Sequence, residues 1–290
     1  MKKNSALYRL VLVFLFTGTL NACSDLFFFP SRQLIQTPDN LGLAYQDIEL
    51  RAADATALHA WFLPAVGKPR GSILFLHGNA ENISTHIYNV RWLPAAGYQV
   101  LLLDYRGFGR SSGSPSLPDV FLDIDAAMNW LSETPEASGQ ALYILGQSLG
   151  ASLMLHAASQ YTNNTRLCGL VSDAAFTRYG EIVRHVANQA WLTWPVQYPL
   201  SLAGGRAYDP VDAVARLGSL PILFFHSADD QIIPFIYLDQ LIAMHPGLSK
   251  RVVTSGPHTA TFNQIENREI LLRFLVRTGS PDACKQNPLN

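Results

Sequence analysis

Several features are absent from this chain of 290 residues, and each absence excludes a class of protein. The chain has no basic segment, and with a formal net charge of −1 nothing in it favours binding to nucleic acid. It has no group of His, Cys, Asp or Glu residues at metal-ligand spacing, so we expect neither a metal nor another cofactor. It also has no internal repeat and no low-complexity linker, which excludes a repeat protein.

Long hydrophobic runs are missing as well. The apolar run Leu10–Phe16 is too short to cross a bilayer. It follows the basic residues Lys2, Lys3 and Arg9, an order that is typical of a secretory signal. We therefore expect residues 1–22 to be a signal peptide, whose removal takes away positive charge and leaves an acidic mature chain.

The end of this segment, Leu20-Asn21-Ala22-Cys23, resembles the lipobox of bacterial lipoproteins. The resemblance implies cleavage before Cys23, whose sulfur then carries a lipid that anchors the protein to a membrane of the bacterial cell envelope. Ser24 stands where Asp would signal retention in the inner membrane, which favours the outer membrane in a cell that has two. The alternative is a plain secretory signal with an incidental cysteine.

Cysteine is scarce: besides Cys23 there are only Cys168 and Cys284. Cys168 lies in an apolar segment that reads as a buried strand, and Cys284 lies in a polar tail. We expect Cys168 to be a small core residue. An exported location would permit a Cys168–Cys284 disulfide, which we regard as the weaker alternative because a core strand and a tail rarely meet.

Strand and helix patterns alternate through residues 45–278, after an irregular arm at 23–44 and before a tail at 279–290. The apolar strands are uninterrupted, which predicts an α/β fold with a mostly parallel central sheet flanked by helices. A hairpin is predicted over residues 45–63. Residues 177–208 are rich in Trp, Tyr and Pro, and they form either a small cap over the site or a longer crossover helix.

The most informative segment is Gly146-Gln147-Ser148-Leu149-Gly150. It reads G-x-S-x-G, follows an apolar strand and precedes a helix. A serine at such a strand-to-helix turn is exposed and can attack a substrate. The sequence therefore predicts that Ser148 is a nucleophile.

A nucleophilic serine needs a base, and the base needs an acid that orients it. Of the histidines that follow Ser148, only His258 lies in a loop at the carboxyl end of a predicted strand, so His258 is the predicted base. Two adjacent carboxylates, Asp229 and Asp230, follow the preceding strand, and both cannot point at one histidine. The residues alone leave this choice open.

Several ordered motifs resemble those of α/β-hydrolases. The segment from His226 to Pro234 is similar to H-G-x-x-D-x-x-[VI]-P, which implies that Asp230 is the catalytic acid, although Ser227 replaces the usual glycine. His77-Gly78-Asn79-Ala80 matches the oxyanion loop, which implies that backbone N–H groups of Asn79 and Leu149 bind the oxyanion. In the segment 104–111, which also matches, the resemblance gives Asp104 and Arg106 structural roles.

The resemblance covers roughly residues 27–276 and comes nearest to the lysophospholipase-like, peptidase-like and BEM46-like hydrolases. It implies a serine hydrolase that cleaves carboxylic esters or thioesters of small-molecule or lipid-like substrates. One alternative is a serine peptidase of the same fold. Another is a non-catalytic envelope lipoprotein that keeps the fold for binding.

Overall fold

The computed structural model describes residues 28–161, 167–189, 206–280 and Cys284. The predicted signal peptide and Cys23 lie outside the described residues, as does the part of the predicted cap from 190 to 205. The strands within the described residues are β1 (Phe29–Pro30), β2 (Gln46–Arg51), β3 (Ala57–Leu63), β4 (Gly71–Leu76), β5 (Ala80–Glu81), β6 (Tyr98–Leu103), β7 (Leu142–Gln147), β8 (Leu167–Asp173), β9 (Ile222–Ser227) and β10 (Ser249–Thr254). The α-helices there are α1 (Ile83–His86), α2 (Asp119–Glu133), α3 (Leu149–Gln160), α4 (Tyr179–Gln189), α5 (Pro210–Val214), α6 (Ile236–Met244) and α7 (Ile265–Thr278).

A central sheet runs in the order β10-β9-β8-β7-β4-β6-β3-β2. The strands from β10 to β6 are parallel, and β3 and β2 form the predicted antiparallel hairpin at one edge. The side chains of β4 show how the sheet is covered on both faces: Leu74 and Leu76 enter one apolar core, while Ile73 and Phe75 enter the other. The predicted α/β fold with a mostly parallel sheet is confirmed.

The strand order creates a crevice at one edge of the sheet. From β4 the chain continues to β6 on one side, and it later returns to β7 on the other side of β4. Loops that leave two neighbouring parallel strands in opposite directions open a gap at the carboxyl ends of those strands, where α/β proteins bind ligands. The residues that follow β4 and β7 therefore border this crevice.

Asp104 and Arg106 have structural contacts, as the resemblance implied. The Asp104 carboxylate accepts the Ile83 N–H at 3.0 Å. The Arg106 guanidinium donates to Asp123 at 2.7 and 2.9 Å and to Asp54 at 2.8 Å. These bonds tie the turn after β6 to α2 and to the hairpin.

One predicted helix is interrupted. The pattern over residues 83–96 favours a single helix, but the structure contains the short α1 and two 3₁₀ turns, Ile87–Asn89 and Pro94–Ala96. Pro94 has no N–H to donate to the preceding turn, so a continuous α-helix cannot pass through it.

The expectation that Cys168 is an unpaired core residue is wrong. Cys168 and Cys284 form a disulfide, with Cα atoms 4.8 Å apart. Helix α7 packs against β8, and Cys284, six residues after the end of α7, lies in the same apolar core as Cys168. The tail is brought to the strand by this helix packing, which acts across 116 residues of sequence and leaves no local pattern.

We expect reduction of the Cys168–Cys284 disulfide to lower the free energy of unfolding by up to about 4–5 kcal/mol, because the bond closes a loop of more than a hundred residues in the unfolded chain. The measurement is urea unfolding of the oxidised protein, the reduced protein and the Cys168→Ala/Cys284→Ala double variant. The reduced protein and the double variant should unfold at similar, lower urea concentrations. Identical midpoints for all three would contradict the expectation.

The predicted arm is docked on the domain where the structure describes it, over residues 28–44. Phe28 is buried and meets Phe108 edge to face, with ring centroids 6.5 Å apart, whereas the side chain of Phe29 is 66% exposed. Strand β1 pairs in parallel with β5. None of the helices in the described part of the chain is both long enough and apolar enough to cross a membrane.

Candidate active site

Ser148 occupies the sharp turn between β7 and α3. Its backbone has φ 54° and ψ −117°, a conformation that is costly for a residue with a side chain and that persists only where the surrounding structure holds it. The flanking glycines allow the turn: a Cβ at Gly146 would lie 2.5 Å from the Gly150 carbonyl oxygen, and a Cβ at Gly150 would lie 2.1 Å from that of Leu76. The Ser148 side chain is left partly exposed at the crevice.

His258 and Asp230 are joined at the same edge of the sheet. His258 Nδ1 lies 2.6 Å from Asp230 Oδ2. The other carboxylate oxygen of Asp230 accepts the N–H groups of Ile232 and Ile233 at 2.8 and 2.9 Å. Burial alone would raise the pKa of Asp230, but the bond from His258 and the two backbone bonds lower it below its usual value. A charged Asp230 requires Nδ1 of His258 to carry the proton, which leaves Nε2 as the basic nitrogen of the neutral ring.

The structure separates the two adjacent aspartates. Asp229 is exposed, and its carboxylate accepts the Gly256 N–H at 3.0 Å. Asp230 instead turns its fully buried carboxylate toward His258. The residues alone left this choice open and the resemblance implied Asp230; in the structure, Asp230 is the one that contacts His258.

His226 is a neighbour of Asp230 that the sequence analysis did not assign to the site. Its Nε2 lies 3.6 Å from Asp230 Oδ2 and donates to the Ile233 carbonyl at 3.0 Å. Burial lowers its pKa, which keeps the ring neutral. His226 thus closes the turn that carries the acid.

A buried polar network links the Ser148 turn to the His258 loop. The Gln147 amide donates to Asp173 Oδ2 at 2.8 Å and to the Thr259 carbonyl at 3.2 Å. The Asp173 carbonyl accepts the Ser148 N–H at 2.8 Å. Because Gln147 precedes Ser148 and Thr259 follows His258, these bonds hold the two loops together.

Asp173, at the end of β8, was missed by the sequence analysis. Its carboxylate also accepts the Thr261 hydroxyl at 2.8 Å, and its burial raises its pKa from 3.8 to about 6. The available signal was its position: it is the last residue of a buried strand, at the sheet edge where α/β proteins gather functional groups.

The raised pKa of Asp173 predicts a pH dependence of stability. Because the folded-state pKa lies above the unfolded value of 3.8, the contribution of Asp173 is fully present below about pH 4 and is lost as the pH rises through about 6. A shift of this size corresponds to about 3 kcal/mol. The measurement is urea unfolding of the wild type and of Asp173→Asn at pH 4, 5, 6 and 7. The wild type should lose stability as the pH rises, whereas the variant has no carboxyl group to titrate at this position. We therefore expect the difference in the free energy of unfolding to shift in favour of the variant by up to this amount. Parallel curves would contradict the assignment.

The segment 77–82, which contains the predicted oxyanion loop 77–80 and is called the oxyanion loop below, follows β4 and passes beside Ser148. A Cβ at Gly78 would lie 3.6 Å from the Ser148 Cβ. The Asn79 side chain is held by a backbone bond, because its Oδ1 accepts the Phe29 N–H at 3.0 Å. The N–H of Leu149 opens helix α3, and the first N–H groups of a helix have no intrahelical acceptor. The predicted donors Asn79 and Leu149 thus lie on the two segments that flank Ser148.

Two histidine rings stabilise the oxyanion loop: His77 belongs to the loop, and His86 lies at the end of α1. His77 is fully buried, stacks on His86 with ring centroids 5.2 Å apart, and has its Nδ1 2.7 Å from the Gly78 carbonyl oxygen. The Nε2 of His86 donates to the Ala80 carbonyl at 3.0 Å. Burial lowers the pKa of both rings, so both are neutral supports of the loop at neutral pH.

Comparison with known proteins places this site in a family. A model of the Hydrolase_4 family, described as serine aminopeptidase, S33, matches residues 67–198. The chain is 30% identical to the uncharacterized protein YfhR of Salmonella typhi, over 75% of this chain and 76% of that protein. It is 26% identical to the protein Bem46 of Schizosaccharomyces pombe, over 70% of this chain and 67% of Bem46.

A solved esterase structure from Pyrococcus furiosus superposes with a TM-score of 0.69 at 22% identity, covering 88% of this chain and 98% of the esterase. At that level of identity, the likeness concerns the fold. The predicted resemblance to α/β-hydrolases and to a BEM46-like protein agrees with these relatives. The chain belongs to the α/β-hydrolase superfamily, in the same family as YfhR, and is a hydrolase.

Proposed function

We propose that this hydrolase cleaves carboxylic esters or thioesters through a Ser148–His258–Asp230 triad and an acyl-enzyme. The observation that carries the proposal is the 2.6 Å contact between His258 Nδ1 and a buried, charged Asp230, at the sheet edge that also presents Ser148. This contact leaves Nε2 of His258 free to accept a proton. The strained Ser148 turn and the oxyanion loop complete the set of groups that acyl transfer needs.

In the proposed reaction, Ser148 Oγ attacks the acyl carbonyl carbon while His258 Nε2 takes the hydroxyl proton. Asp230 stabilises the resulting imidazolium and keeps the ring oriented. The negative charge on the carbonyl oxygen is bound by the N–H groups of Leu149 and Asn79. His258 returns the proton to the leaving alcohol or thiol, and water, activated by the same histidine, then releases the acid and restores Ser148.

We further propose that Cys23 carries a lipid and anchors the enzyme to the bacterial envelope, at the outer membrane where there are two. The signal and lipobox patterns support this, and so does the Cys168–Cys284 disulfide, which is typical of oxidising compartments. At most about 20 Å of extended chain joins Cys23 to Phe29, which contacts the oxyanion loop. A site held so near a membrane favours lipid-like acyl substrates. Loss of detergent partitioning in Cys23→Ser is the expected result, and unchanged partitioning would count against the anchor.

The reactivity of Ser148 is tested with a fluorophosphonate, which labels activated serines. We expect intact-mass analysis to show one adduct per chain, and peptide mapping to place it on Ser148. Urea-unfolded protein, the matched control, should not be labelled. A folded protein that takes no label, or takes it at another serine, would overturn the proposed mechanism.

A second candidate, a serine aminopeptidase of the same fold, is favoured by the description of the matching family. The triad is common to both activities, so substrates must separate them. We compare kcat/KM for esters of increasing acyl chain length with kcat/KM for aminoacyl amides. The leaving groups of the two substrate sets are chosen to have equal absorbance, so that the rates are measured in the same way. The proposal expects the esters to have the higher kcat/KM, and the reverse order would select the peptidase.

A further inference from the structure

The arm, residues 28–44, adds a strand beside the oxyanion loop. In the parallel pair of β1 and β5, Phe29 is aligned with Ala80 and Pro30 with Glu81. The Phe29 N–H lies 3.0 Å from the side-chain oxygen of Asn79 and 3.4 Å from its carbonyl oxygen. One backbone donor of the arm therefore holds the residue that we propose as an oxyanion donor.

Further bonds continue this attachment along the loop. The Ser31 N–H donates to the Glu81 carbonyl at 3.2 Å. The Asn82 amide donates back to the carbonyls of Ser31 and Gln33 at 3.0 and 2.8 Å. The arm thus binds three of the four residues from Asn79 to Asn82 through hydrogen bonds.

The arm is itself fixed to the rest of the domain. The guanidinium of Arg32 donates to the carbonyls of Ser111 and Gly113, each at 3.0 Å. Phe28 is buried against Phe108. The arm is therefore anchored firmly enough to restrain the loop.

The oxyanion loop needs such a restraint. Glu81 has φ 64°, a left-handed conformation that a residue with a side chain adopts at a cost. Strained residues of this kind persist where surrounding contacts over-determine them. At Glu81 the Ser31 N–H supplies a contact of this kind, and it comes from the arm.

We propose that the arm is a positioning element of the active site: the Phe29 N–H fixes the Asn79 side chain and thereby aims the Asn79 backbone N–H at the oxyanion. This inference rests on the proposed serine hydrolase mechanism. The arm begins five residues after Cys23. The segment next to the proposed lipid anchor would therefore also set the geometry of the active site.

The test compares two substitutions at Phe29 in the full chain, purified in detergent. Phe29→Pro deletes the backbone N–H, whereas Phe29→Ala keeps it and removes only a side chain that is largely exposed. We expect Phe29→Pro to lower kcat for an ester by about 10- to 100-fold with KM changed less than about twofold, because an oxyanion contact acts on the transition state. Phe29→Ala should stay within about twofold of the wild type in both constants. Equal kcat in the two variants would overturn the proposal.

A double-variant cycle shows whether the effect passes through Asn79. Asn79→Ala removes the acceptor oxygen but keeps the backbone N–H, so it breaks the same bond from the other side. We expect Phe29→Pro/Asn79→Ala to be no slower than the slower single variant, since interacting groups are not additive. If the fold-reductions in kcat of the two single variants multiplied in the double variant, the proposal would be overturned.

Hydrogen exchange supplies a readout that does not depend on activity. We expect the amides of residues 79–84 to exchange faster in Phe29→Pro than in Phe29→Ala, while β7 and α3 keep their protection in both, which shows that the variant is folded. If the wild type hydrolyses no ester, the proposed function fails and exchange alone decides whether the arm holds the loop. Equal exchange rates in the two variants would overturn the inference.

Discussion

Replacing Ser148 with alanine is expected to lower kcat for ester hydrolysis by about 10⁴- to 10⁶-fold, because the nucleophile that forms the acyl-enzyme is lost. Residual catalysis would come from the oxyanion donors and from substrate binding. The fold should persist, because the contacts of Ser148 that hold the turn belong to the backbone: its N–H donates to the Asp173 carbonyl, and its carbonyl accepts the Ser152 N–H.

The measurement is steady-state kinetics with a chromogenic ester and an active-site titration that excludes contaminating wild type. Ser132→Ala is the matched control, because Ser132 lies on α2, away from the Ser148 turn in sequence, and donates to the Asn129 carbonyl one turn earlier. It should stay within about twofold of the wild type. If Ser148→Ala kept a tenth of the wild-type kcat, Ser148 would not be the nucleophile.

Replacing Asp230 with asparagine is expected to lower kcat by about 10³- to 10⁴-fold, with little change in KM. The amide keeps the shape of the carboxylate but cannot balance the charge of the imidazolium, and it allows the wrong tautomer of His258. The backbone bonds from Ile232 and Ile233 can still be accepted by the amide oxygen.

Asp229→Asn is the matched control for Asp230→Asn, because it makes the same chemical change at the adjacent residue. Asp229 is exposed and accepts only the Gly256 N–H among the contacts that the structure records for its carboxylate. We expect Asp229→Asn to change kcat by less than about threefold. Comparable losses in the two variants, or a larger loss in Asp229→Asn, would assign the acid role differently.

Local patterns predicted the parts of this protein that depend on neighbouring residues. The uninterrupted apolar strand Leu142–Leu145 and the glycines around Ser148 predicted the turn that the structure contains, because strand burial and a strained turn both act on residues a few positions apart. The order of strands and helices similarly predicted a parallel sheet. The predicted helix over residues 83–96 was too long. The prediction followed the apolar pattern and did not allow for Pro94, which has no N–H to continue a helix.

Contacts between distant segments were beyond the reach of such patterns. The Cys168–Cys284 disulfide was judged the weaker alternative because nothing near either cysteine in the sequence shows that the packing of α7 on β8 brings Cys284 to Cys168. The Gln147–Asp173 bond joins the last residues of two different strands. Such pairs are set by strand order and by helix packing.

By itself, the sequence determined the fold class, the strand-to-helix turn at Ser148 and the placement of His258 in a loop after a strand, because periodicity and turn chemistry are local properties of the chain. The tertiary structure alone decided that Asp173 bridges two loops and that the Phe29 N–H reaches Asn79, and it contains the Asp230–His258 contact that the resemblance implied. In each case the contact joins segments that are distant in sequence, and only the packed sheet brings those segments to one edge.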